Sequence, residues 1–277
     1  MDKNIKNNKK RNFKEYKDRE KGKSRINKFD EIKESTQLEG RNSVLAALNH
    51  GRTIDKIFIK KGEVEGTLKV IAAKARDAGI PVQEVDKAKL LNMQTTGNCQ
   101  GVIAMTPAKD YCSLHDILDI AKEKGEDPFI ILLDEIEDPH NLGAIIRSAE
   151  TAGAHGVVIT KNRSAGLTVA ASKAAAGALE YMPVAKVTNM TRAIEELKKA
   201  GLWITCADMK GTIYYNANLK GAVGLVIGAE GTGVSRLVKE HCDFTVKIPM
   251  YGEIESLNAS VAAGLVMYEV VRQRKFL

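Results

Sequence analysis

The chain has 277 residues, 44% of them hydrophobic and 28% charged, a balance ordinary for folded domains, so disorder throughout is excluded and about two domains are expected. Its longest apolar stretches, such as Phe129 to Leu133, fall far short of a bilayer span, which excludes a helical membrane protein. The formal charge of +7 resides in residues 1–33, which hold 13 Lys and Arg against 6 Asp and Glu, while the rest is neutral.

That first segment has few large apolar residues and cannot offset the entropy of ordering, so residues 1–35 are expected to form a basic disordered tail. A cationic arm beside a neutral body suits a polyanionic partner, because neutralising phosphates releases counterions. A tail that only aids solubility is the plainer reading. The start lacks the apolar core of a secretory signal, and neither end carries a lipidation motif, so the cytosol is the expected compartment. Cys99, Cys112, Cys206 and Cys242 stand far apart with no C-x-x-C pair, and the five histidines are scattered. Reduced thiols and no metal centre are expected.

Along the chain, residues 41–50 place Val44, Leu45 and Leu48 on one helical face, and residues 54–59 alternate as a strand. Residues 67–78 read as a helix stopped by Gly79, and 81–85 return to the sheet. Gln100 to Met105 closes a small β-α-β-α-β unit, so a domain is expected over 36–107. Residues 108–127 turn polar around a helix at 114–124 and read as a linker. From 128 to 277 the alternation strengthens. Strands at 129–133, 156–160, 183–187, 203–207, 224–227 and 244–248 alternate with helices at 141–152, 169–179, 191–200, 234–240 and 257–274. Such alternation implies an α/β fold with a mostly parallel sheet, whose chemistry gathers at the carboxyl ends of its strands.

Three segments could carry that chemistry. The strand ending at Ile227 runs into Gly228-Ala229-Glu230-Gly231-Thr232-Gly233, a turn that lets backbone approach a ligand closely. The glycine order does not match a dinucleotide fingerprint, and Glu230 opposes a phosphate there, so a dehydrogenase is disfavoured. A cationic or hydroxyl-bearing ligand fits better, although a plain connecting turn would look the same. Upstream, Asp138-Pro139 starts a helix that carries Asn141, Gly143 and Arg147. Asn141 and Arg147 are 240° apart on the helical wheel and must serve different partners. Arg147, in an otherwise apolar run, needs an anionic partner or an exit to solvent. In the third segment, residues 248–260, Ser256, Asn258 and Ser260 stand near a helix start, where capping alone could explain them.

Taken in order, N-x-G-x(3)-R (Asn141, Gly143, Arg147), G-x-E-G-x-G (Gly228 to Gly233) and I-P-M…S-L-N-x-S-V-A (Ile248 to Ala262) resemble the three motifs of the SpoU/TrmH family of RNA ribose 2′-O-methyltransferases. Within it the likeness is to bacterial enzymes that methylate a guanosine in the peptidyl-transferase region of 23S rRNA. Arg163-Ser164-Ala165 and Val271 to Arg274 share in the resemblance, which covers residues 36–277. The resemblance implies a trefoil-knotted (SPOUT-type) methyltransferase domain preceded by a small α/β, ribosomal-protein-like RNA-binding domain. It also implies S-adenosylmethionine as methyl donor, no metal, a homodimer, and an assembling large ribosomal subunit as partner. On the same footing Gly228, Ile248 and Leu257 would line the donor pocket, while Asn141, Arg147, Glu230 and Asn258 would be catalytic. A guanidinium is almost never neutral, so Arg147 is read as binding the phosphate beside the target ribose and stabilising charge on the 2′ oxygen. Transfer RNA methylation by the same family, and a non-catalytic RNA-binding assembly protein, are the alternatives.

Overall fold

The computed structural model describes residues 36–62 and 66–276, so the expected disordered tail lies outside the described residues. Those residues form two compact units that meet between Ala108 and Lys109.

The first unit runs β1 (Gln37–Glu39), α1 (Arg41–Asn49), β2 (Lys56–Lys60), α2 (Thr67–Asp77), β3 (Val82–Val85), α3 (Lys87–Met93) and β4 (Val102–Met105). Its sheet order is β1-β4-β2-β3, with β2 and β3 parallel and the other pairs antiparallel. Val44, Ile57, Ile59, Ile71 and Val102 are fully or almost fully buried between the sheet and α1 and α2. The sequence pattern misses β1 and α3 because β1 is three half-buried residues and α3 buries only Leu90. β4 begins two residues later than expected, because Gln100 and Gly101 both take left-handed backbone, at φ 49° and 81°, which no strand accommodates.

The second unit opens with α4 (Leu114–Lys124), held by a reciprocal cap between Ser113 and Asp116. The linker reading of 108–127 needs amending here. Leu114, Ile117 and Ala121 are buried, the first two in a core cluster with β5, and the Ile117 side chain fills the space beside Gly156. Polar composition misled because only one stripe of this helix is apolar. Then follow β5 (Phe129–Asp134), α5 (Pro139–Thr151), β6 (Gly156–Thr160), α6 (Val169–Ala175), β7 (Val184–Val187), α7 (Met190–Lys199), β8 (Trp203–Ile213), β9 (Val223–Gly228), α8 (Arg236–His241), β10 (Phe244–Lys247) and α9 (Ala259–Phe276).

All six strands pair in parallel, in the order β10-β8-β9-β5-β6-β7. Alternate residues of β5 serve opposite faces. Phe129, Ile131 and Leu133 pack with α5, α6 and α9, whereas Ile130 and Leu132 pack with α4, α7 and α8. The helix expected at 169–179 stops at Ala175, since Ala176 and Gly177 both have positive φ, and resumes as a single 3-10 turn at Ala178–Glu180. No described helix is long and apolar enough to cross a membrane.

Candidate active site

β5 and β9 are neighbours whose last residues, Asp134 and Gly228, are register partners, so the loops that follow them emerge side by side. The glycine loop folds back on its own strand, with the Gly233 amide donating to the Ala229 carbonyl at 2.9 Å. A Cβ on Gly228 would lie 2.1 Å from the Gly233 carbonyl carbon and 2.2 Å from the Val234 nitrogen, so this position excludes every other residue. Buried Asp134 fixes the far end of the loop, its carboxylate accepting the Ser235 amide at 2.8 Å. An acid closing an otherwise apolar strand, FIILLD, is the signal that could have exposed this residue in the sequence.

α5 starts where the sequence places its cap, with the Asp138 carboxylate accepting the His140 amide at 2.9 Å and Pro139 in the first turn. Asn141 therefore leaves the first turn toward the glycine loop, and its Nδ2 donates to Glu230 Oε1 at 2.8 Å. From the loop before α9, Asn258 Nδ2 donates to Asn141 Oδ1 at 2.9 Å and to the same Glu230 oxygen at 2.5 Å. The Ala259 amide adds a third bond to Glu230 Oε1 at 3.2 Å. The opposite side of Asn258 is also engaged, since its Oδ1 accepts from the Ser260 amide at 3.0 Å, the Ser260 hydroxyl at 2.5 Å and the Val261 amide at 3.4 Å.

Three segments more than 20 residues apart in the chain thus close one hydrogen-bonded triangle, Asn141–Glu230–Asn258. Among the described residues nothing donates to Glu230 Oε2, and Glu230 is exposed. Arg147 is not part of this triangle. It is exposed on α5, away from Asn141, and makes no ion pair with a described residue, so solvent rather than a carboxylate receives its charge. Of the residues expected to line a donor pocket, Gly228 ends β9, half-buried Ile248 follows β10 against the core, and half-buried Leu257 immediately precedes Asn258. Of the residues near this helix start that capping alone could explain, Asn258 is the cap, its Oδ1 accepting the Ser260 and Val261 amides, while the Ser260 hydroxyl donates to that same oxygen and caps nothing itself.

Residues 128–268 match the SpoU rRNA Methylase family, and residues 37–112 match the RNA 2′-O ribose methyltransferase substrate-binding family. A Bacillus subtilis (strain 168) protein named as a TrmH family tRNA/rRNA methyltransferase, YacO, is 47% identical over 237 residues, which is 85% of this chain and 94% of its own. The SpoU methyltransferase AviRb from Streptomyces viridochromogenes, solved in complex with AdoMet, is 26% identical with a TM-score of 0.52 over 86% of this chain and 89% of that one. A TrmH/SpoU tRNA modifying enzyme from A. aeolicus is 28% identical with a TM-score of 0.50, over 58% of this chain and 84% of its own. Since one family covers more than half of the residues and a relative nearly half identical is matched along almost its full length, the chain belongs to the SpoU/TrmH family of RNA methyltransferases.

Proposed function

We propose that this protein transfers a methyl group from S-adenosylmethionine to a ribose 2′ hydroxyl of RNA, at a guanosine in the peptidyl-transferase region of 23S rRNA. The observation that carries the reading is the Asn141–Glu230–Asn258 triangle at the carboxyl ends of β5 and β9. The residues around it fit the donor. The glycine loop offers backbone groups, a Cβ on Gly231 would meet nothing within 4 Å, and half-buried Ile248 and Leu257 supply apolar contacts. S-adenosylmethionine bound there supplies a methyl carbon made electrophilic by the neighbouring sulfonium.

The protein's own tasks are then orientation and charge control. Glu230 Oε1 is saturated by three donors, so Oε2 is the oxygen left to accept a hydrogen bond from the ribose 2′ hydroxyl and aim its lone pair. Asn258 has both faces engaged and acts by positioning Glu230 and Asn141 rather than by touching the ribose. Arg147, exposed and unpaired among the described residues, binds the phosphate beside that ribose and stabilises charge on its 2′ oxygen. The same reading includes residues 36–107 as the RNA-binding domain, 128–277 as a knotted methyltransferase domain, a homodimer and a cytosolic location.

A ribosomal target is supported by the additional substrate-binding match at 37–112, whereas the A. aeolicus tRNA enzyme is matched over only 58% of this chain. Transfer RNA remains the second reading, supported by the tRNA/rRNA name of the B. subtilis relative. The test is labelled methyl transfer to ribosomal and transfer RNA separately, followed by mapping of the methylated ribose. Incorporation at a guanosine 2′ oxygen of 23S rRNA is expected; label found only in transfer RNA, or on a base, overturns the assignment. With Arg147→Lys, turnover is expected to fall at least about tenfold with RNA affinity retained, because an ammonium lacks the planar fork.

A further inference from the structure

The loops after β5 and β6 each contain a residue other than glycine with left-handed backbone, Glu135 at φ 58° and Arg163 at φ 51°, and these two side chains meet. Arg163 Nη1 donates to Glu135 Oε1 at 3.0 Å. Left-handed backbone is disfavoured for both residue types, and strain of this kind persists where surrounding structure enforces it, commonly beside ligands. The enforcement is visible. The Ala165 amide donates to the Ile136 carbonyl at 2.7 Å, and the Thr160 hydroxyl donates to the Asn162 carbonyl at 2.7 Å, so both loops are tied.

The ion pair does not account for the strain. The Arg163 side chain is 75% exposed, and a pair so open to water contributes little to stability. Placement accounts for it better. Glu135 directly follows Asp134, the register partner of Gly228, and precedes by six residues Asn141 of the hydrogen-bonded triangle. In the sheet, β6 lies on the other side of β5 from β9, so Arg163 stands across β5 from the glycine loop. Exposed Lys161 shares the Arg163 loop, and the acids beside the guanidinium are Glu135 and Glu137.

We propose that Arg163 is a substrate-binding residue that exchanges Glu135 for a phosphate of the RNA strand flanking the target nucleotide. A guanidinium bound to one exposed carboxylate oxygen gains by moving to a phosphate that can take both of its parallel N–H groups. Glu135 then serves as a stand-in that keeps the guanidinium poised before RNA arrives. The inference rests on the RNA-methylation reading above.

The test uses the full chain, filter binding to a labelled 23S rRNA transcript over a range of salt concentrations, and methyl-transfer kinetics. Arg163→Gly is the informative variant, because glycine adopts the observed backbone freely and the fold is retained. RNA affinity is expected to fall about tenfold and the salt slope by about 0.7 to 1. KM for RNA should rise in step, with kcat and KM for S-adenosylmethionine held within about twofold and the thermal midpoint unchanged or raised. Glu135→Gln should leave RNA affinity unchanged or tighter. Arg163→Gly with the parent's affinity and salt slope overturns the proposal, and so does a loss in Glu135→Gln equal to that in Arg163→Gly, which marks a merely structural pair. A parent chain that methylates no RNA overturns the underlying reading instead, so the two failures are distinct.

Discussion

Gly143 stands in the first motif for a reason found in packing rather than chemistry. It is buried where α5 crosses α6, and a Cβ there would lie 2.3 Å from the Ala171 carbonyl oxygen and 2.6 Å from the Ala174 Cβ. Gly143→Ala is therefore expected to destabilise the second unit by about 1–3 kcal/mol, as overpacking does, and to shift Asn141 two residues away. Urea denaturation followed by fluorescence of Trp203 would check this, and an unchanged midpoint would mean that α6 yields at no cost. Glu230 illustrates the limit of residue-level reading. Its sequence neighbours suggest a carboxylate able to reach a ligand, but only the fold reveals that Asn141 and Asn258 converge on one of its oxygens.

Among elements, α9 is tied to the opposite end of the sheet from the candidate site. Arg274 donates to the Asp127 carbonyl at 3.1 Å, to the Pro128 carbonyl at 3.0 Å and to the Gly221 carbonyl, with its guanidinium 5.1 Å from the Phe129 ring centroid. It thereby joins the helix to the chain entering β5 and β9. Arg274→Ala should cost roughly 2–3 kcal/mol in denaturant titrations, since it leaves carbonyls without donors, and Arg274→Lys should recover little because one ammonium cannot span three acceptors.

The start of β5 also holds a buried titrating group. His155 Nδ1 accepts the Phe129 amide at 3.0 Å, and Nε2 lies 3.2 Å from Glu126. Burial, followed by the charge of Lys124, pushes this imidazole below its ordinary value of 6.5, against the opposing pull of Glu126. The folded state then binds fewer protons than the unfolded state as pH falls below that value. Stability from this group is present above about pH 6.5 and is lost on acidification toward the lowered folded value. Denaturation midpoints should fall between pH 7 and pH 5.5, and His155→Gln should flatten that part of the profile. Element positions in this unit are legible because strands and helices have different apolar periods. The ends of β8 and α6 are not, because β8 continues to Ile213 only by pairing with β10 and α6 ends on local backbone strain.

At the scale of the whole molecule, charge is the property the linear chain states most directly. With a neutral body, most salt-sensitive RNA affinity is expected to reside in residues 1–33. Deleting them should weaken RNA binding and flatten its salt dependence while methyl-donor affinity stays the same, measurable by filter binding and calorimetry. Equal salt slopes with and without the segment would count against this. Cys206 and Cys242 show how whole-chain folding revises a linear reading. They are distant in sequence, yet the fold brings the two thiols into mutual influence, and the Cys206 thiol, whose sulfur also lies 3.4 Å from the Thr245 hydroxyl, is held down to about 7 despite its burial.

By itself the amino-acid order determined the α/β alternation, the helix start at Asp138-Pro139 and the three motifs, because periodicity, capping and glycine turns are local properties carried by a few consecutive residues. Strand order, the meeting of Asp134 with Gly228, the shared oxygen of Glu230 and the strained Glu135–Arg163 pair were decided only in three dimensions. Each of these depends on which parallel strands lie side by side, and a parallel neighbour is reached through a crossover whose length hides the contact from any local pattern.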